Sequence, residues 1–208
     1  MVFQNILKNV SKEEMDKLLN NGLSSYFQSV FLKWKLEGNE DVMSQFLFCL
    51  GEAGWYETLW NMLERSMLSK YIIQNLLNYD HVIINSALSC LWHLTKIDTI
   101  ADNIVFKDEW QKIDKIFWKD WEDGLSNITS LILLINSNLV WSKKRQDYLN
   151  SRSFAKHIQA HLPRIMNPEG EERNETLLLV WANIMLKLTN SPETCEILVK
   201  EMSEQIWN

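Results

Sequence analysis

Three prolines and six glycines among 208 residues leave the chain few obligatory breaks, and no stretch alternates apolar with polar residues between hairpin dipeptides. A protein of short strands and tight turns is excluded. Cysteine is equally scarce. Cys49, Cys90 and Cys195 sit singly in apolar runs without a C-x-x-C pair, so buried reduced thiols are expected rather than a disulfide framework. Basic residues are outnumbered, 21 Lys and Arg against 27 Asp and Glu, for a net charge of -6 and a pI near 5.3. Phosphate-binding surfaces need clustered Lys and Arg, so no nucleic-acid partner is expected.

Long apolar runs are missing too. The most apolar segment, Ile128 to Trp141, is broken by Asn136, Ser137 and Asn138. It falls short of the roughly 20 residues needed to span a bilayer. The N-terminal MVFQNILKNVSKEEMDKLL carries charges where a secretory segment would be apolar. An intracellular protein of the cytoplasm or nucleus is expected, with no membrane partner. The sequons at Asn9, Asn127 and Asn174 are then accidents of composition. No Gly-rich phosphate loop, nucleophile elbow or recognised pairing of Ser or Cys with His is present, so neither an enzyme nor a cofactor is expected.

What the chain does have is helix. Hydrophobic residues make up 46% and charged residues 23%, enough apolar content to order most of its length. Ser11 followed by Glu14 is a capping-box pattern, and Asn20-Asn21-Gly22 closes the helix that it opens. Ser24 to Lys35 then spaces Tyr26, Val30, Phe31 and Trp34 at helical intervals. Residues 1–36 are predicted to form an N-terminal helical cap of the kind that stacked repeats require.

From residue 37 a repeat takes over. Polar turns at Gly38-Asn39-Glu40-Asp41, Asn78-Tyr79-Asp80, Glu122-Asp123-Gly124 and Pro168-Glu169-Gly170-Glu171-Glu172 each precede a long apolar helix. A shift of 41 carries Phe46 to Leu50 onto Ala87 to Leu91, and a second carries Ala87 to Leu94 onto Ile128 to Ile135. A shift of 94 carries Leu94-Thr95 onto Leu188-Thr189 and Ile104-Val105 onto Leu198-Val199. The last spacing is therefore 94 - 41 = 53, and the excess falls in an insertion near residues 151–173. The whole chain, 1–208, reads as one domain of about four units.

A period near 40 with two or three helices per unit is that of armadillo or HEAT repeats. LLNYDHVIINSALSCLWHLTKI resembles the armadillo family's second helix, acidic turn and third helix, whose pattern W-A-L-S-N stands here as Trp92-His93-Leu94-Thr95-Lys96. Leu186-Lys187-Leu188-Thr189-Asn190 resembles the same helix end. The resemblance spans about residues 40 to 205, and its cadence is similar to importin-α and to the armadillo half of Zyg-11-type ubiquitin-ligase receptors. It implies an all-α, right-handed armadillo-like superhelix whose third helices line a concave face. It also implies a non-enzymatic adaptor or scaffold holding an extended segment of a partner protein there.

Carried over residue by residue, the family's Trp and Asn ladder is depleted. Trp92 keeps the Trp, but Lys96 replaces the Asn; Leu133 and Ser137 replace both, and Leu186 replaces a Trp while Asn190 is kept. The first unit has Gly51 and Trp55 there. A stripe of small polar residues lies one and two turns earlier on the same face: Ser44, Asn85 and Ser89, Ser126 and Ser130, and Asn183. An amide offers peptide groups both a donor and an acceptor, and an indole supplies a flat apolar wall. The candidate partner-binding residues are Asn85, Ser89, Trp92, Lys96, Ser126, Ser130, Asn183 and Asn190.

Other features compete with that face. Trp110, Ile113, Phe117 and Trp121 form one helical stripe suited to packing between repeats, while Trp118 falls off it and is a second candidate surface. His157 and His161, four apart, have a spacing that zinc can use, but further ligands are wanting, so no metal is expected. Lys143-Lys144-Arg145 reads as a solvated loop. Two alternatives stay open: a structural subunit that assembles, including as an oligomer, through exposed aromatic surfaces, and a substrate-receptor module of a ubiquitin ligase.

Overall fold

The computed structural model describes residues 11–23, 25, 29, 46, 47, 50, 68–79, 81–118, 125–166, 175–189, 192, 195, 196 and 199. Among them every regular element is helical and no strand occurs. The chain divides into two compact units, Met1–Ile100 and Ala101–Asn208.

The first unit opens with α1, Lys12–Leu18, which runs into a wide turn at Leu19–Leu23. The predicted capping box is present. Ser11 Oγ accepts from the Glu14 amide at 3.3 Å, and Glu14 Oε2 accepts from the Ser11 amide at 3.0 Å. The Ser11 hydroxyl, which donates to Glu14 Oε2 at 2.8 Å, and after it the Ser11 amide hold the Glu14 carboxyl below its ordinary value. Gly22 ends the segment at φ 106°, where any side chain would be strained although the space is open. The rest of the predicted cap, with most of Ser24 to Lys35, lies outside the described residues, as do Gly38 to Asp41.

Helix α2, Leu68–Asn75, continues as the tight turn Leu76–Asn78, and Tyr79 is extended before α3, His81–Leu94. Leu68, Ile72, Ile73 and Leu76 point inward, and α2 packs on α3. Cys90 is buried and donates from Sγ to the Leu47 carbonyl at 2.9 Å, tying α3 to the preceding repeat helix. Cys195, however, is exposed, so the expectation of uniformly buried thiols fails there, while Cys49 lies outside the described residues.

Helix α4, Asp98–Phe106, leads into the second unit. There α5, Trp110–Phe117, α6, Leu125–Leu139, and α10, Glu175–Leu188, carry the bulk of the core. Trp110, Ile113 and Phe117 are buried along one stripe as predicted; Trp121 lies outside the described residues. Helix α6 packs on α5 and α10.

The insertion is folded where it is described. Helix α7, Lys143–Ser151, is followed by α8, Phe154–Ala160, and α9, Leu162–Met166, and all three pack on α10. Trp181 of α10 donates from Nε1 to the Ile158 carbonyl at 2.7 Å. The solvated loop expected at Lys143-Lys144-Arg145 is instead the first turn of α7, with Ser142 as its N-cap accepting from the Arg145 amide. Arg145 is only 2% exposed. Its Nε donates to the Leu139 carbonyl at 3.0 Å, and Nη1 pairs with Asp102 at 2.9 Å.

Candidate functional site

Helix α3 is buried on nearly every side, and its openings are specific. Among its described side chains from Ile83 to Leu94, only Asn85, Ser89 and Trp92 are not buried. They stand at positions i, i+4 and i+7 and so share one face. Lys96, at i+11, extends that line just past the helix end and is exposed. The α3 residues nominated from the sequence thus form one partly open stripe.

The helix stops in a way that fixes this stripe. Thr95 donates its hydroxyl to the Trp92 carbonyl at 2.8 Å, satisfying an orphan acceptor of the last turn. Thr189 does the same to the Leu186 carbonyl at 2.5 Å. The shift of 94 therefore carries Thr95 onto Thr189 and Trp92 onto Leu186 in hydrogen bonding as well as in sequence.

Three side chains meet at the end of α3. The Lys96 ammonium lies 4.2 Å over the Trp92 ring and 3.4 Å from His93 Nδ1. The His93 and Trp92 rings lie 4.5 Å apart at 40°. Burial, and after it the Lys96 charge, push His93 down from 6.5 to about 4, so the imidazole is neutral at pH 7. Burial also holds the Lys96 ammonium below the usual lysine value. Farther up the stripe, Asn85 Oδ1 is out of solvent and accepts no hydrogen bond from the described residues. An acceptor held that way stabilises nothing until a donor reaches it.

The second unit treats the register differently on each helix. On α6, Ser130 is half-buried, but Leu133, which aligns with Trp92, is fully buried. The open side of α6 passes instead through Ser130, Leu131, Leu134, Ser137 and Asn138. Ser126 lies on α6, but its side chain is outside the described set. On α10 the aligned residues face solvent: Leu179 is 71% and Leu186 66% exposed, with Asn183 exposed between them. Asn190, Ser44, Gly51 and Trp55 lie outside the described residues.

In the sequence Trp141 merely closes an apolar run, and no motif or spacing singles it out. It follows α6 and is 71% exposed, and the Lys187 ammonium of α10 lies 4.3 Å over its ring. Burial holds that ammonium low as well. No spacing rule links residues 141 and 187; only the packing of α10 on α6 brings them together.

Trp118 is 44% exposed at the C-cap of α5, yet it is not a bare indole. The Arg164 guanidinium lies 5.5 Å from its ring, and the Phe117 and His161 rings sit 5.2 and 5.7 Å away. The two spaced histidines are taken up by one carboxylate. His161 Nε2 is 2.7 Å from Asp114 Oδ1, and His157 Nδ1 is 3.3 Å from Asp114 Oδ2. His161 is fully buried and stacks on Phe117 at 3.7 Å. Among the described residues no group of three or more His, Cys, Asp or Glu could hold a metal ion, and no helix is long and apolar enough to cross a membrane.

No family model and no curated protein matches the sequence. A solved structure does. A designed armadillo repeat protein in complex with the peptide (KR)4 superimposes with a TM-score of 0.67, at 10% identity, over 89% of this chain and 72% of that one. The fold is armadillo-like. At that identity the likeness speaks for the fold alone.

Proposed function

We propose that this armadillo-like protein is a non-enzymatic adaptor that binds an extended segment of a partner protein. In the first unit the segment lies on the stripe of Asn85, Ser89, Trp92 and Lys96. Asn85 and Ser89 would bond its main chain, and Trp92 would wall a side-chain pocket. In the second unit Ser126, Ser130, Asn183 and Asn190 would supply the same chemistry.

The observation that carries this reading is the selectivity of exposure on α3. A helix that merely packs leaves a random polar edge to solvent, whereas here the open positions pair one amide and one hydroxyl with one indole. The designed neighbour, solved with a peptide, is consistent with such a use of the fold. Selection of peptides from a random displayed library on the intact chain tests it. Enriched peptides should bind wild type and fail on an Asn85→Ala, Trp92→Ala double variant of unchanged fold; equal binding to both would remove the stripe as a site.

One observation favours the second reading, assembly through aromatic surfaces. Trp141 is the most exposed aromatic among the described residues, beside the exposed Leu186 helix face. Sedimentation of wild type and Trp141→Ala at rising concentration decides it: a self-associating wild type and a monomeric variant would favour assembly.

A further inference from the structure

Two open indoles in this chain each carry an ammonium of the chain itself. Lys96 covers Trp92 at 4.2 Å, and Lys187 covers Trp141 at 4.3 Å. The first lysine comes from the same helix end and the second from a different helix, so the pairing is not a by-product of one local spacing. Among the described residues no carboxylate pairs with Lys96, whose other polar contact is His93 Nδ1. At neutral pH that imidazole is uncharged, so it offers the ammonium a lone pair but no charge.

This arrangement sets which side chain a partner can bring. A cationic side chain seeking the Trp92 face would have to displace the ammonium already there and would then sit beside a like charge. A carboxylate meets a cation that is already partly dehydrated, so less hydration is lost on pairing than at an ordinary surface lysine. The chain's overall charge of -6 opposes an acidic partner at long range. Salt screens that repulsion beyond roughly 8 Å at physiological ionic strength, and the contact is decided locally.

Resting on the peptide-binding reading above, we propose that the segment bound on the α3 stripe is acidic, with a partner carboxylate pairing with Lys96 at Trp92. The preference is opposite in sign to the (KR)4 peptide seen on the designed neighbour.

Fluorescence anisotropy with labelled (DE)4, (KR)4 and (SG)4 peptides on the full chain tests the charge. The expected order is (DE)4 tightest, with (KR)4 no better than neutral (SG)4. Lys96→Glu should weaken (DE)4 by about tenfold, which is about 1.4 kcal/mol, while Lys96→Arg retains it. Circular dichroism melting confirms that each variant is folded. Tighter binding of (KR)4, no binding of (DE)4, or (DE)4 binding indifferent to the Lys96 reversal overturns the proposal. The two readings fail separately: if a random library yields neutral or basic peptides that are lost on Trp92→Ala, the adaptor stands and only its acidic preference falls.

Discussion

The Lys96 ammonium sits over the Trp92 ring, 4.2 Å from its centre, and the same nitrogen lies 3.4 Å from His93 Nδ1. Trp92 is the family-pattern residue kept in this helix, and Lys96 is the departure from the pattern. Their contact makes the departure part of the proposed site, because Lys96 covers the face that Trp92 presents.

Stability should separate this Trp from those of the core. Trp92 is half-buried, whereas Trp181 is 5% exposed and donates to the Ile158 carbonyl. Trp181→Ala should cost about 3–5 kcal/mol and leave that carbonyl without its donor, while Trp92→Ala should cost about 1–2 kcal/mol. Urea unfolding of the two variants measures both. Equal losses would mean that Trp92 belongs to the core.

Acid should destabilise the first unit through His93. The folded chain resists a proton that the unfolded chain accepts near 6.5. The contribution is therefore fully present above pH 6.5 and is lost as pH falls towards about 4. Lys96→Ala removes the smaller of the two causes and should raise the His93 midpoint while leaving it below 6.5. NMR titration of the imidazole follows it, and a midpoint at or above 6.5 in wild type would contradict the buried geometry.

Arg145 should resist replacement by lysine. Its guanidinium splits between the Leu139 carbonyl and Asp102, a fork that a single ammonium cannot span. Arg145→Ala should cost about 3 kcal/mol and Arg145→Lys about 2 kcal/mol. Denaturant midpoints report both, and a lysine variant as stable as wild type would show that one of the two bonds is dispensable.

How much of this was legible in the sequence depends on whether a feature is periodic. The capping box at Ser11, the core stripe of Trp110, Ile113 and Phe117, and the α3 face of Asn85, Ser89 and Trp92 all follow from side chains sharing a helix face, which spacing encodes. The 94-residue register was legible down to the bonds of Thr95 and Thr189. What spacing does not encode is how far each helix is rotated against its neighbour. Leu133 and Leu186 align with Trp92, yet one is buried and the other faces solvent. Arg145 reads as one of three basic residues until Asp102, 43 positions earlier, is seen to take it inward. Lys187 over Trp141 and Asp114 between His157 and His161 are tertiary in the same sense.

Zinc should leave the protein unmoved. His157 and His161 already share the two oxygens of Asp114, and His161 is sealed against Phe117. Addition of zinc or of a chelator should not shift the melting temperature; a rise of several degrees with zinc would mean that the carboxylate gives up both rings to a metal.

Trp92→Ala is the sharpest test of whether the open stripe of α3 holds a partner's extended segment. A library-selected peptide is titrated against wild type and variant, with both melted alongside. The affinity should fall tenfold or more, about 1.4 kcal/mol, in a folded variant that melts cooperatively. An unchanged affinity in that folded variant would remove the stripe as the binding face.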